Sequence, residues 1–253
     1  MRSVILSSLA APQPLFELPS LSSITISTYP LMICVGAVGM LVYIWTRSEK
    51  FQLNKLQCVL FALLLTACGI AGAKLLFILE NIPDALAGNL GTGGVSFFGS
   101  VYLIPLVMPL VGKLFKLSPS KTNDLCAPCV AIMIGCIRIG CMLNGCCGGW
   151  VIYVGNYYFA WPTQIMECIG DFLLLAWLLR LEKKGQHQAV LYPLFMLGYS
   201  IMRFFIEFLR YSSSKHLGLS NGHWFAIAAV LAALLWLNIH KRNIQPANKQ
   251  RNG

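Results

Sequence analysis

Two arginines stand inside apolar runs of this chain. Arg138 lies in Cys136-Ile-Arg138-Ile-Gly140-Cys141-Met-Leu-Asn144-Gly-Cys146-Cys147-Gly-Gly149, and Arg203 opens Arg203-Phe-Phe-Ile-Glu207-Phe-Leu-Arg210. A guanidinium keeps its proton at any ordinary pH, and holding one at bilayer depth costs about 3 kcal/mol or more. A chain that keeps two such groups needs fixed positive charge near lipid. The chemistry this suits is the handling of an anionic group, and in a membrane that group is a phospholipid phosphate. Arg203, Glu207 and Arg210 fall at i, i+4 and i+7, so one helical face presents plus, minus, plus. This face can lock helix packing as an ion pair, or Glu207 can orient an arginine whose remaining donors meet a phosphate. Both can hold together.

Other polar residues fall in the same class. Lys74, in Gly72-Ala-Lys74, ends an apolar run and can snorkel toward headgroups. In Trp161-Pro-Thr-Gln164-Ile-Met-Glu167, Pro162 and Thr163 suit a helix start. Gln164, Glu167 and Asp171 then share a face that must meet protein or a wet cavity. Pairing with Lys74 or an arginine is the expected job of Glu167 and Asp171, and proton acceptance the other. The glycines around Arg138 allow close helix packing. Gly145, Gly148 and Gly149 also permit an unwound backbone whose amides can contact an anion, as does the loop Gly91-Thr-Gly-Gly94. Of ten cysteines, six lie between Cys126 and Cys147. Cys126-Ala-Pro-Cys129 and Cys146-Cys147 sit near opposite ends of one helix, about 30 Å apart at 1.5 Å per residue, so they cannot share a metal. Cysteines here read first as small apolar filler. The four histidines show no ligand spacing, and no metal or cofactor is expected.

The surrounding chain is built to position such groups in lipid. Of 253 residues 57% are hydrophobic and 11% charged, with no polar block large enough for a soluble domain. The net charge of +10 falls in short clusters between apolar runs, not along a nucleic-acid face. Seven runs stand out: about Tyr29 to Trp45, Leu56 to Leu79, Val95 to Val111, Leu125 to Gly145, Gln164 to Leu179, Ala189 to Leu209 and Trp224 to Ile239. Alternate connections hold thirteen positives on one side and two, Arg210 and Lys215, on the other. The positive-inside rule makes this an all-α integral membrane protein of seven spans, amino terminus outside and carboxyl terminus cytoplasmic. Residues 1–240 form one transmembrane domain and 241–253 a basic cytoplasmic tail, polar and unstructured from Asn243. Met1 to Ala11 reads as an uncleaved segment in the outer interface rather than a short signal peptide.

These motifs resemble one family, bacterial prolipoprotein diacylglyceryl transferase. Its signature, Arg-x-Gly-Asn-Phe-x-Asn-Gly-Glu-x-x-Gly, is matched at Arg138, Gly140, Asn144, Gly145 and Gly149, with Cys141 and Cys146 in place of asparagine and glutamate. Ser27-Thr-Tyr29-Pro resembles its first-helix tyrosine segment, and Gly72-Ala-Lys74-Leu its Gly-Ala-Arg-Leu. Gly93-Gly-Val-Ser96-Phe-Phe98-Gly99 resembles Gly-Gly-x-Ser-Phe-His-Gly, and Trp161-Pro-Thr-Gln164-Ile-Met-Glu167 resembles His-Pro-Ser-Gln-Leu-Tyr-Glu. Arg203-Phe-Phe-Ile-Glu207-Phe-Leu-Arg210 fits Arg-Phe-x-x-Glu-x-x-Arg, and Gly218-Leu-Ser220-Asn-Gly222-His223 resembles Gly-x-Ser-x-Gly-Gln.

The resemblance implies transfer of a diacylglyceryl group from phosphatidylglycerol to the lipobox cysteine of a prolipoprotein in the bacterial inner membrane, releasing glycerol phosphate. It implies catalytic roles for Arg138, Arg203, Glu207 and Asn144. Substrate contacts would come from Tyr29, Lys74, Ser96, Gly99, Gly140, Gly149, Gln164, Glu167 and Arg210. Phe98 and Trp161 replace family histidines, one of them a proposed base, so Glu207 or water takes the thiol proton or the acceptor differs. The connection from Trp150 to Ala160 is also shorter than the family's periplasmic head. The alternatives are a transferase with another acceptor, and a non-catalytic or redox protein built on Cys126, Cys129, Cys146 and Cys147.

Overall fold

The computed structural model describes residues 28–89, 94–154, 157–185, 189–210 and 215–251. The amino-terminal segment through residue 11 and Gly91, Thr92 and Gly93 lie outside the described residues, as does the side chain of Tyr29.

Among the described residues are seven helices of 17 residues or more: α1 (Thr28–Thr46), α3 (Lys55–Glu80), α5 (Phe97–Leu114), α6 (Pro119–Leu143), α7 (Thr163–Lys184), α8 (Leu191–Glu207) and α9 (Asn221–Arg251). The short helices α2 (Ser48–Phe51) and α4 (Ile82–Leu86) lie in connections. Two small antiparallel ladders also occur among the described residues: β1 (Val151–Val154) with β2 (Tyr157–Ala160), and β3 (Lys215–His216) with β4 (Leu219–Ser220). Among the described residues four helices are long and apolar enough to cross a membrane: α3, α5, α6, and α9 as far as Arg242. The last helix runs on to Arg251, through residues expected to be an unstructured tail. Pro246 lies inside this segment and does not end the helix.

Local sequence sets the helix starts. Asn54 caps α3 in a reciprocal box: Gln57 N donates to Asn54 Oδ1 (2.8 Å) and Asn54 N to Gln57 Oε1 (2.9 Å). Ser118 precedes Pro119 at the start of α6, a position where proline's missing N–H is harmless. The bundle is inside out relative to a soluble one. Leu63, Leu106, Leu173, Phe205 and Leu235 point outward, while Arg138, Glu167, Asp171 and Arg203 are buried.

Helix α6 is the axis of the fold. Its most apolar window is 78% buried, against 22–39% for the other three apolar spans, and it packs against α1, α5, α7 and α8. Small residues allow one close crossing nearby. A Cβ at Gly72 of α3 would stand 2.6 Å from the Gly99 carbonyl of α5, so both positions must lack a side chain. Gly99, which the resemblance marks as a substrate contact, therefore faces α3. Arg138 gains its surroundings because the axial helix is enclosed on several sides.

Candidate functional site

Glu167 of α7 is the hub of a buried charge network. Its carboxylate pairs with Arg138 Nε of α6 and with Arg203 Nη1 of α8, and Arg210 Nη1 stands 3.6 Å away. Arg203 Nη2 also forms an ion pair with Glu207 Oε2 at 2.7 Å, and Arg210 Nε lies 4.0 Å from that oxygen. Arg203 and Glu207 share the expected helical face, whereas Arg210 lies past the helix end at Glu207 and reaches the cluster from the following turn, and the shared carboxylate comes from a different helix. Arginine's planar fork suits such shared pairing. The Arg138 guanidinium also lies over the Phe97 ring, 4.9 Å from its centroid. Asp171, one turn beyond Glu167, is buried as well.

These groups border a cavity of about 480 Å³. Arg138, Arg203, Arg210, Glu207, Ser96, Phe98 and Cys147 are among its lining residues. A second, apolar cavity of about 150 Å³ runs between α1, α3, α5 and α6, past Met40, Leu65, Ile104 and Ile134. Val95 and Phe97 line both. A polar chamber with three guanidinium groups therefore adjoins an apolar slot, a division that matches an anionic amphiphile.

Next to Glu207, the motif Gly218-Leu-Ser220-Asn-Gly222-His223 forms a hydrogen-bonded relay. Ser220 Oγ donates to Glu207 Oε1 at 2.8 Å and lies 3.0 Å from His223 Nδ1. The His223 ring sits edge-on between Phe204 and Phe208, with centroids 5.2 and 4.4 Å away. Gly222 belongs to the same arrangement, since a Cβ there would stand 2.7 Å from the Glu207 carboxyl carbon. The signal was the Gly-x-Ser-x-Gly spacing; metal-ligand spacing was the wrong test for this histidine.

Other expected residues divide between the chamber and its scaffold. Ser96 lines the chamber, and its N–H donates to the Ala73 carbonyl (3.0 Å). Lys74 places its ammonium 3.4 Å from the Gly94 carbonyl and 5.0 Å from the Phe77 ring centroid. Glu167 takes its partners from the arginines, the first of the alternatives read for it. Asn144 caps α6, its N–H donating to the Gly140 carbonyl at 3.0 Å, and both residues are buried. Gln164 Nε2 donates to the Cys146 carbonyl at 2.7 Å, and Thr163 Oγ1 to the Cys147 carbonyl at 2.9 Å. Thr163 therefore ties down the preceding loop through its hydroxyl.

The glycines after Arg138 work differently from the amide cradle read for them. Gly145 N donates to the Met142 carbonyl (3.2 Å) and Gly149 N to the Trp161 carbonyl (3.1 Å), so these two donors are committed within the fold. Gly149 bridges to Arg210, and a Cβ there would meet the Leu209 carbonyl and Trp161. Its lack of a side chain brings Arg210 beside the chamber.

Cysteine gives the largest departure from expectation. Cys126 and Cys129 are buried in the axis of the bundle, as filler should be. Cys141, Cys146 and Cys147, however, converge with all three sulfurs within 4.8 Å of one another. Hydrogen bonds from the Cys141 and Cys146 thiols lower the pKa of Cys147, and Arg210 and Arg138 reinforce the effect against burial. The backbone turn that brings Cys146 back to Cys141 was not legible as a contact in the sequence.

Comparison with known proteins gives a consistent picture. The model of the family described as "Prolipoprotein diacylglyceryl transferase" matches residues 16–239. A phosphatidylglycerol–prolipoprotein diacylglyceryl transferase of Clostridium tetani is 29% identical over 245 residues, covering 90% of this chain and 97% of the relative. A second such protein, from Clostridium perfringens, is 29% identical over 235 residues, covering 85% and 91%. The Dehalococcoides mccartyi counterpart is 24% identical over 251 residues, covering 91% and 95%.

Proposed function

The chain belongs to the prolipoprotein diacylglyceryl transferase family, and from that membership we propose that it transfers a diacylglyceryl group from phosphatidylglycerol to the lipobox cysteine thiol of a prolipoprotein. Glycerol phosphate is the leaving product. The observation that carries this reading is the junction of the two cavities: three arginines at a polar chamber and an apolar slot sharing Val95 and Phe97 with it.

Each part has a task in the displacement. The thiol sulfur attacks the glyceryl carbon, the carbon–oxygen bond breaks, and the phosphate oxygen takes the electron pair. Positive groups already in place stabilise that charge as it develops. Arg138 and Arg203 take this role, Arg210 borders the same chamber, and Glu167 holds all three. Glu207 orients Arg203, with Ser220 orienting Glu207 in turn. Asn144 supplies a hydrogen bond at the end of α6, Ser96 and Tyr29 position the headgroup, and Lys74 meets headgroups at the interface. Gly99, Gly140, Gly149 and Gln164 serve through the backbone they allow or hold.

The same reading places the protein in the bacterial inner membrane as a seven-span domain over 1–240, amino terminus outside, with a basic cytoplasmic extension over 241–253. Alternating positive clusters support that orientation. The test uses purified protein, phosphatidylglycerol and a synthetic lipobox peptide, read by mass spectrometry. A diacylglyceryl mass on the peptide cysteine, lost in Arg138→Ala, is the expected outcome. Folded protein that binds the lipid but forms no adduct would overturn the prolipoprotein acceptor.

A further inference from the structure

We propose that Cys141, Cys146 and Cys147 form a three-thiolate site for a zinc(II) ion whose open fourth position takes up the acceptor thiol as a thiolate. This inference rests on the transferase reading above for the identity of the acceptor.

The cluster has suitable dimensions. Its sulfurs lie within 4.8 Å of one another, while tetrahedral zinc with 2.3 Å zinc–sulfur bonds needs separations of about 3.8 Å. Modest side-chain rotation closes the set. An all-sulfur donor group selects a thiophilic cation over magnesium, calcium or manganese. Three protein ligands with one open position are the arrangement of catalytic zinc, whereas structural zinc is fully enclosed by four.

The backbone is shaped for this convergence. Gly145 and Cys147 both have φ of 63°, a conformation that costs a residue with a Cβ about 1–2 kcal/mol. Cys146 N donates to the Cys141 carbonyl at 3.1 Å, folding the segment back on the helix end. Thr163 and Gln164 then hold the carbonyls of Cys147 and Cys146. Outer contacts of this kind fix the direction of metal ligands. Filler cysteines need none of this.

The position of the cluster gives its purpose. Cys147 lines the chamber that also contains Arg138, Arg203, Arg210 and Phe98, and Cys141 is buried and does not line it. The open coordination position therefore faces the chamber. Phe98 stands where the resemblance leads one to expect a histidine base, and a phenyl ring accepts no proton. A metal-bound thiol needs no base, because coordination removes its proton. Three thiolates on a divalent cation leave one negative charge, which Arg138 and Arg210 flank.

The step balances. The acceptor S–H gives its proton to solvent as the sulfur–zinc bond forms, and the coordinated sulfur attacks the glyceryl carbon. The carbon–oxygen bond breaks with its electron pair on phosphate, and the released phosphomonoester carries a proton in place of the one lost. The thioether product is neutral and a weaker ligand, so it leaves the zinc.

The test uses the full chain in detergent, reduced, stripped with a chelator and titrated with cobalt(II). One equivalent should bind, with thiolate-to-cobalt charge-transfer bands and the d–d bands of a four-coordinate, sulfur-rich site. Lipobox peptide should shift the d–d bands, and its serine version should not. Cys146→Ser and Cys147→Ser, checked for folding by size exclusion, should lose the charge-transfer bands, and Cys34→Ser should keep them. Stripping should slow adduct formation about 100-fold, the contribution of a lost general base, and zinc should restore it. Folded, reduced wild-type protein without cobalt bands overturns the site, as does undiminished adduct formation by the stripped protein. Bands indifferent to the peptide thiol overturn its role with the acceptor. A peptide-induced shift without any adduct supports the thiol site and sinks the diacylglyceryl transfer instead.

Discussion

Helix α7 carries two glutamates, Glu167 and Glu182, about 22 Å apart along the axis, and each gathers cations around one carboxylate. Glu182 accepts from Arg47 and Lys50, both at 3.0 Å, and from the Tyr43 hydroxyl at 3.1 Å. Glu167 gathers Arg138, Arg203 and Arg210. The chemical pattern is the same and the setting is not. Glu182 is itself only 5% exposed but its partners Arg47 and Lys50 are 27% and 52% exposed, whereas Arg138 and Glu167 are each 2% exposed. Water can replace a lost partner at the first cluster, but only protein or substrate can at the second. A charge cluster that water can reach ties loops together. One whose cations are enclosed as well must find its partners in protein or substrate.

Replacing Arg138 by alanine should break that contrast most severely. It leaves Glu167 short of a partner in the bundle interior, a loss of about 3–5 kcal/mol, and transfer should fall at least about 100-fold. Thermal unfolding in detergent and the peptide adduct assay measure the two effects. Arg138→Lys should restore part of the stability and little of the transfer, since one ammonium cannot reproduce the planar fork.

Glu167→Gln should follow, with about 3 kcal/mol of destabilisation and transfer reduced by a similar factor. A fully active Glu167→Gln would remove the hub from the site. Ser220→Ala tests the relay at one further remove. It deletes one hydrogen bond to a carboxylate, worth about 1.5–3 kcal/mol, so transfer should fall about tenfold with the fold intact.

The smallest effect belongs to Glu182. Glu182→Gln should cost under about 1 kcal/mol and leave transfer unchanged at neutral pH. Burial opposes ionisation of Glu182, yet hydrogen bonds from Arg47 and Lys50 and their charges hold its pKa below the usual 4.5. A depressed carboxylate pKa means the contribution is fully present above about 4.5 and disappears as pH falls through the lower folded value. The wild-type advantage over Glu182→Gln should therefore shrink in acid, and an advantage that grew there would contradict the clamp.

Much of this was open to a reader of the chain alone. Arginines inside apolar runs announced the site because no other residue carries permanent charge into lipid at such cost. The spacing of Arg203 and Glu207 already fixed their common face, because helical periodicity is local, whereas Arg210 lies beyond the helix end. The apolar runs located the helices. Tertiary structure decided which carboxylate the arginines share, because α6, α7 and α8 meet at Glu167 only once they are packed. It also decided that Ser220 reaches Glu207 and that Gly149 serves a backbone crossing. Most of all it decided that Cys141 joins Cys146 and Cys147. Sequence spacing measures distance along a helix, and the left-handed turn at Gly145 and Cys147 folds that distance back on itself.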